Sequence, residues 1–271
     1  MRKQELIEII TEAVAKELER QERLTEKKEK AGINTRINAK DAVIEGMKKK
    51  TTARIAIGKA GPRLRTNTFL KLRADHARAK DAVLSSVDES IIKALDLLQI
   101  KSLCRDVNEH LTRPDLGRKI SEETKEILRK HCIRKPQVQI YASDGLSSKA
   151  IDENISDILP IMMDGLESEG IKVGTPFFLK YGRVPTMDVI SEVLEAELTC
   201  VLIGERPGLA AADSMSAYIT YGARPGIRES CRTVISNIHG KGIQPVEAGA
   251  YAVSVIKRML AEKKSGVDFK V

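Results

Sequence analysis

From residue 136 onward, short apolar blocks alternate with longer stretches whose apolar residues recur at helical spacing. Q-V-Q-I-Y-A (137–142) predicts a strand, and S-D-G-L-S-S leads from it into a helix reaching about Gly170, with Ser143 or Asp144 as N-cap. I-K-V-G-T-P-F-F-L-K (171–180) predicts a second strand, and a helix is expected from Thr186 to about Glu197. L-T-C-V-L-I (198–203) is the third strand, with a short helix expected from about Asp213 to Tyr221, stopped by Gly222. R-T-V-I-S-N-I (232–238) is the fourth, and Pro245 opens a last helix that closes near Gly266 in a Pro-first, Gly-last manner.

This alternation predicts an α/β fold with a Rossmann-like, mostly parallel sheet in the C-terminal half, covered by helices on both faces. Such sheets take ligands at the carboxyl ends of their strands. The loops Ser143–Ser148, Tyr181–Pro185, Gly204–Leu209 and His239–Gln244 are therefore the candidate ligand side. Two regions precede the sheet. Residues 1–50 carry a stripe of Leu6, Ile9, Ile10, Ala13 and Val14 at helical spacing, then a charged linker with almost nothing to bury. Residues 51–135 read as mainly helical: 54–66 is extended with turns at Gly58, Gly61 and Pro62, and helices are expected over 67–84, about 88–112 and 120–132. The division is thus 1–50, 51–135 and 136–271.

Charge alters this picture. The chain of 271 residues carries a formal net charge of +8, and at least half of that excess lies before residue 81. Lys59, Arg63, Arg65, Lys71, Arg73, Arg78 and Lys80 form a basic cluster suited to phosphates or to an acidic protein surface. Aromatic residues are 3% with no Trp, which argues against a base-stacking surface. Cys104, Cys132, Cys200 and Cys231 form no C-x-x-C pair, and Cys200 is expected to pack as a small hydrophobe inside its strand. The charged N-terminus is unlike a signal peptide and no apolar run reaches the length of a membrane span, so a cytoplasmic protein is expected.

Several chemistries find no support. G-K-A-G (58–61) lacks P-loop spacing, no G-x-G-x-x-G follows a strand, and no G-x-S-x-G elbow occurs. His76, His110, His131 and His239 are far apart, and no Cys/His cluster has metal-ligand spacing. Asn237-Ile238-His239-Gly240-Lys241-Gly242 nearly fits D-x-H-x-x-G, in which a histidine replaces the lower base of a cobalamin; here Asn stands for Asp. The loop Gly204-Glu205-Arg206-Pro207-Gly208 stands where this fold puts ligands, with Gly204 allowing close backbone approach and Pro207 stiffening the turn. On these residues alone the reading is a ligand-binding α/β domain with no identified catalytic residue. A stand-alone module for a phosphorylated ligand, held at the helix N-terminus after Asp144, and a nucleic-acid-binding protein remain open at this point.

Seven co-linear motifs carry a more specific signal. R-I-A-I-G-K-A-G-P-R (54–63), R-A-D-H-A-R-A-K-D-A-V (73–83), R-P-D-L-G-R (113–118), Y-A-S-D-G-L-S (141–147), V-G-T-P-F-F-L-K-Y-G-R-V (173–184), G-E-R-P-G-L (204–209) and C-R-T-V-I-S-N-I (231–238) resemble the small (light) subunit of ethanolamine ammonia-lyase. The resemblance runs from about residue 52 to the C-terminus. It implies a heteromeric lyase that converts ethanolamine to acetaldehyde and ammonia through a 5′-deoxyadenosyl radical from adenosylcobalamin. It also implies a large (heavy) partner subunit that holds the substrate, with the corrin at the subunit interface and no nucleic-acid or membrane partner. In that family the cofactor keeps its own dimethylbenzimidazole on cobalt, so His239 is not expected to be a cobalt ligand. Three positions carry over to the cofactor site: Val184, Glu205 and Val234, where relatives often have Cys in place of the last. Catalytic and metal-binding residues are not expected on this chain. The resemblance further implies a bacterial microcompartment, with the stripe of residues 1–20 as the expected address to its shell proteins.

Overall fold

The structure, a computed structural model, describes residues 39–51 and 53–270. The stripe at Leu6–Val14 and the charged stretch behind it lie outside the described residues. The chain divides into two compact units, meeting at Leu64 and Arg65. The first holds helix α1 (Ala39–Lys48) and a two-stranded hairpin, β1 (Lys59–Ala60) with β2 (Arg63–Leu64), turned by Gly61 at φ 60°. That hairpin is the extended, glycine-turned stretch expected from residues 54–66.

The second unit is built on a six-stranded sheet of order β3-β5-β4-β6-β7-β8. Its strands are β3 (Leu98–Lys101), β4 (Val138–Ser143), β5 (Phe177–Lys180), β6 (Leu198–Gly204), β7 (Met215–Tyr221) and β8 (Thr233–Ile238). Pairings from β3 to β6 are parallel, and β7 is antiparallel to both β6 and β8. β7 alone is therefore reversed, and every other strand ends on the same edge. β4 and β6 are buried along their whole length, as central strands covered on both faces must be. One face is packed by α6 (Ser148–Ser168) and α8 (Pro245–Glu262), whose Ile151, Ile155, Ile158, Met162, Ala252 and Ile256 join Ile140, Cys200 and Leu202 in one core. The opposite face is packed by α5 (Glu122–His131) and α7 (Thr186–Leu194) through Leu128, Met187, Ile190 and Leu194 on Tyr141, Phe177, Val201 and Ile203. Burying each such side chain contributes roughly 1.5–3 kcal/mol. Cys200 is fully buried there, as its strand position led one to expect.

Five sequence expectations need correction, one being the second strand, which spans only Phe177–Lys180 of the expected 171–180. Residues 215–221 are strand β7, not a helix: M-S-A-Y-I-T-Y is short and largely buried, so its periodicity could not separate the two. The helix expected over 88–112 is broken into α3 (Glu89–Ala94), β3 and α4 (Val107–Thr112), the first break following Asp96 in the left-handed region at φ 49°. The helix after β4 starts later than expected, because Ser147 and not Ser143 or Asp144 caps it by accepting from the Ala150 N–H at 3.1 Å. α8 ends at Glu262 on a left-handed Lys263, ahead of Gly266. The helix predicted over 67–84 is α2 (Thr66–Leu84), and the one over 120–132 is α5.

One buried ion pair ties the β8 edge of the sheet to the helical layer. Arg232, immediately before β8, forks both Nη groups onto the Asp188 carboxylate of α7 at 2.8 Å each, while its Nε–H donates to Glu229 at 2.7 Å. The Arg232 and Asp188 side chains are only 2% and 8% exposed. Removing one partner strands a desolvated charge. Asp188→Ala is therefore expected to cost about 3–5 kcal/mol in chemical denaturation. A loss below about 1 kcal/mol would mean the pair does not hold the layers together.

Candidate functional site

The shared strand direction brings the loops after β3, β4, β5, β6 and β8 to one edge. The strand order reverses between β4 and β6: α6 leaves on one face and α7 returns on the other. A ligand crevice is expected at such a switch point. Here the chain itself fills it. Gly204 lies so close to the Asp144 and Ser147 carbonyls that any side chain at 204 would collide with backbone. The Leu146 N–H donates to the Gly204 carbonyl at 2.9 Å, and Gly145, at φ 53°, packs on the same spot. Gly204 is thus required by the approach of residues 144–147, where the sequence pointed to the approach of a ligand. The Ser147 hydroxyl and the Asn154 amide then donate to the Ala212 and Asp213 carbonyls at 2.7 and 2.9 Å, fastening the 205–214 loop to the start of α6.

Glu205 leaves β6 beside this plug, its N–H still donating to the Ser214 carbonyl at 3.0 Å. Its Oε1 accepts the Tyr218 hydroxyl at 2.9 Å. Partial burial and the adjacent Glu205 carboxylate push the Tyr218 phenol up to about 12, so it stays protonated and donates. Tyr218 sits opposite Val201 on β6 and Val234 on β8, which puts it on the face of the sheet that α7 only partly covers. Val234 is 43% exposed on that face. Val184 is half-buried at the foot of α7 and packs against the same apolar cluster as Tyr218. The three expected positions therefore share one face: Glu205 and Val234 are linked through Tyr218, and Val184 borders the same apolar layer. Tyr218 itself was missed because its segment was read as helix. Strand alternation in S-A-Y-I-T-Y is the signal that would have found it.

The chemistry of this strip is an apolar, solvent-open patch edged by a carboxylate with lone pairs to spare and a phenol. It suits a flat apolar group rimmed by hydrogen-bond donors. It has no nucleophile–base pair. Among the described residues no cluster of His, Cys, Asp and Glu could hold a metal ion. His239 is turned inward: its Nε2–H donates to Asn237 Oδ1 at 2.8 Å and its Nδ1 accepts the Lys241 N–H at 3.3 Å, so both ring nitrogens are engaged within its own turn.

A different concavity, about 330 Å³, opens between α2, the start of α6 and the 208–213 loop. Asp75, Asp81 and Asp213 line it together with Arg78, Lys149 and Lys241. The α6 N-terminus is already capped by Ser147, and Ser148 is engaged with Ser85 at 2.6 Å. The three carboxylates offset the three cations, and with the helix terminus already capped the concavity has no net positive charge to hold a phosphate.

The loop that carries Val184 is seated by a buried polar group. Asp144 is almost wholly buried at the end of β4, and desolvation pushes its carboxyl up to about 7 against the lowering effect of the Tyr181 and Gly145 N–H groups. The stability that the neutral carboxyl contributes is complete below the ordinary carboxylate range and is lost as pH rises through about 7. No helix among the described residues is long and apolar enough to cross a membrane.

Comparison with known proteins agrees with the motif resemblance. The family model of the ethanolamine ammonia-lyase light chain (EutC) matches residues 41–270. The ethanolamine ammonia-lyase small subunit of Fusobacterium nucleatum is 56% identical over 224 residues, covering 83% of this chain and 76% of that protein. That of Clostridium acetobutylicum is 53% identical over 232 residues, covering 86% of this chain and 96% of that protein. That of Listeria monocytogenes is 48% identical over 224 residues, with 83% and 76% covered. The match spans every strand of the sheet and the plugged switch point, and on that breadth this chain belongs to the ethanolamine ammonia-lyase small-subunit family.

Proposed function

We propose that this chain is the small subunit of an adenosylcobalamin-dependent ethanolamine ammonia-lyase, and that it binds and shields the cobalamin at its interface with a large, substrate-holding subunit. One observation carries the reading: Val234 and Tyr218 lie side by side on the part of the sheet that no helix fully covers, with the Glu205 carboxylate held over their edge. A corrin is an apolar ring edged with neutral amides. Val184 and Val234 suit its ring, and Glu205 suits the amide N–H groups, each a charge-assisted hydrogen bond. Bound adenosylcobalamin supplies the carbon radical that starts the conversion of ethanolamine to acetaldehyde and ammonia. The work of this chain is to seat the ring, satisfy its amides and exclude water. The exposed basic residues of α2, among them Lys71, Arg73 and Lys80, suit an acidic surface on the partner. Packaging of the enzyme in a bacterial microcompartment, addressed by residues 1–20, belongs to the same proposal.

Four outcomes follow. In the reconstituted complex, Glu205→Ala is expected to weaken cobalamin binding by roughly ten- to a hundredfold, and Glu205→Gln by less, since a charge-assisted bond contributes about 1.5–3 kcal/mol. Tyr218→Phe is expected to lose roughly fivefold, because Glu205 then loses its fixed donor. Equilibrium dialysis, with assembly checked by size, reads both effects. Unchanged affinity in Glu205→Ala would reduce Glu205 to a turn residue. Assayed with ethanolamine and adenosylcobalamin, the isolated chain is expected to form no acetaldehyde until the large subunit is added. Turnover by the chain alone would contradict the division of labour. A fluorescent protein fused to residues 1–25 is expected to concentrate in co-expressed shells, and diffuse fluorescence with intact shells present would count against the address.

A further inference from the structure

The turn that joins β5 to α7 is held in an unfavourable backbone shape by buried polar contacts outside the proposed contact set. Tyr181 has φ 60°, a left-handed conformation that a bulky residue keeps only when its surroundings fix it. Its N–H donates to Asp144 Oδ1 at 2.7 Å. A side chain on Gly182 would meet Ser143 Oγ at 2.5 Å, while that hydroxyl donates to the Leu179 carbonyl at 2.7 Å. The Arg183 N–H donates to the Gly117 carbonyl at 2.9 Å, and its guanidinium donates to the His110 carbonyl at 2.6 Å. His110 stacks on the Tyr181 ring, with centroids 5.5 Å apart, and its Nε2–H donates to the Gly145 carbonyl at 2.5 Å. Motifs Y-A-S-D-G, Y-G-R-V and R-P-D-L-G-R thus converge on a single turn, and Val184 is the residue that leaves it.

We propose that Asp144 is the positioning residue of the Tyr181–Val184 turn: by accepting the Tyr181 N–H it holds the left-handed residue that sets where Val184 meets the cobalamin. The inference rests on the reading of Val184 as a cofactor contact. Burial disfavours the ionised carboxyl, so the neutral group, whose carbonyl oxygen accepts the Tyr181 N–H, is the form that fits the packed turn. The Asp144 carboxyl is pushed up to about 7 by burial, so its charge changes within the working range of most enzymes. The titratable and charged groups that face it are Lys180 and Tyr181 on its β5 side, Arg183 in the turn, and His110 of α4 beyond Gly145. The Arg183 guanidinium, although burial lowers its value, keeps its charge near neutral pH. The His110 imidazole is held below its ordinary value by burial and by Arg183, so it stays neutral above about pH 6.5. β6 brings Ile203 and Gly204 to this spot, and Arg206 just beyond it acts on Arg183 electrostatically. Among the described residues that face this turn, Asp144 is the group pushed into the neutral range.

The experiment uses the complex of this chain with its large subunit and cyanocobalamin as the probe, whose axial cyanide does not titrate in the window. Affinity is measured by equilibrium dialysis from about pH 6.5 to about pH 8.5 for the parent, Asp144→Asn and Val184→Ala. The parent is expected to bind roughly fivefold more weakly at the upper end, with a midpoint near 7, and tighter binding there would contradict the inference. Asp144→Asn mimics the neutral carboxyl, so it is expected to stay at the parent's low-pH affinity throughout. A merely structural role for Asp144 would not remove a pH dependence. Val184→Ala is expected to lose roughly tenfold at every pH. A parent whose affinity does not change with pH, or an Asp144→Asn variant that follows the parent's curve, overturns the inference while leaving the site reading intact if Val184→Ala binds more weakly. Parent-like binding by Val184→Ala overturns the reading of Val184 itself, and the inference with it.

Discussion

The contact of Gly204 with the 144–147 turn is the constraint from which the rest follows. A parallel sheet with helices on both faces offers a crevice where its strand order reverses, and here that crevice lies between β4 and β6. The backbone of one strand end presses directly on the turn after the other, with a hydrogen bond across the contact and no room for a side chain on Gly204. The usual ligand seat is thus occupied by the protein. What remains on the same edge are the turns on either side of the plug, one carrying Val184 and the other Glu205.

The reversed strand β7 gives those turns a surface to work with. It extends the sheet past α7, so the face carrying Tyr218 and Val234 is only partly covered. The Arg232–Asp188 pair fixes how far that uncovered strip extends, because it binds the start of β8 to α7 in a desolvated fork. An ion pair of this kind adds little net stability compared with an apolar pair. Its directional fork sets the register of α7 against β8, which a greasy contact would not do. Tyr218 completes the strip by donating to Glu205, so that the carboxylate is held in place before any ligand arrives.

Much of this was legible in the sequence. β4, β5 and β6 announced themselves by compact apolar blocks, because burial on both faces demands unbroken apolar runs, while the half-exposed edge strand β8 showed through its Val234-Ile235 pair and α8 through its opening proline. The loops at the ligand edge followed from strand direction alone. β7 was not legible, since seven largely buried residues satisfy helix and strand patterns equally. Its loss hid Tyr218, and with it the link between Glu205 and Val234. β3 was hidden in a similar way, because Leu98 and Ile100 lie in a stretch whose flanks are helical. The role of Gly204 could not be read at all from local sequence: its neighbour across the switch point is some sixty residues away in the chain. Asp144 looked like a helix cap for the same reason. Only the packed fold reveals that its carboxylate faces Tyr181.

The most direct test of the central claim is a cryo-electron microscopy map of this chain with its large subunit and bound cyanocobalamin. The expected result is a corrin ring in van der Waals contact with Val184 and Val234, at about 3.5–4 Å. An amide group of the corrin is expected within about 3 Å of the Glu205 carboxylate. Cobalamin held wholly by the large subunit, with the Tyr218–Val234 strip facing solvent or protein, would contradict it.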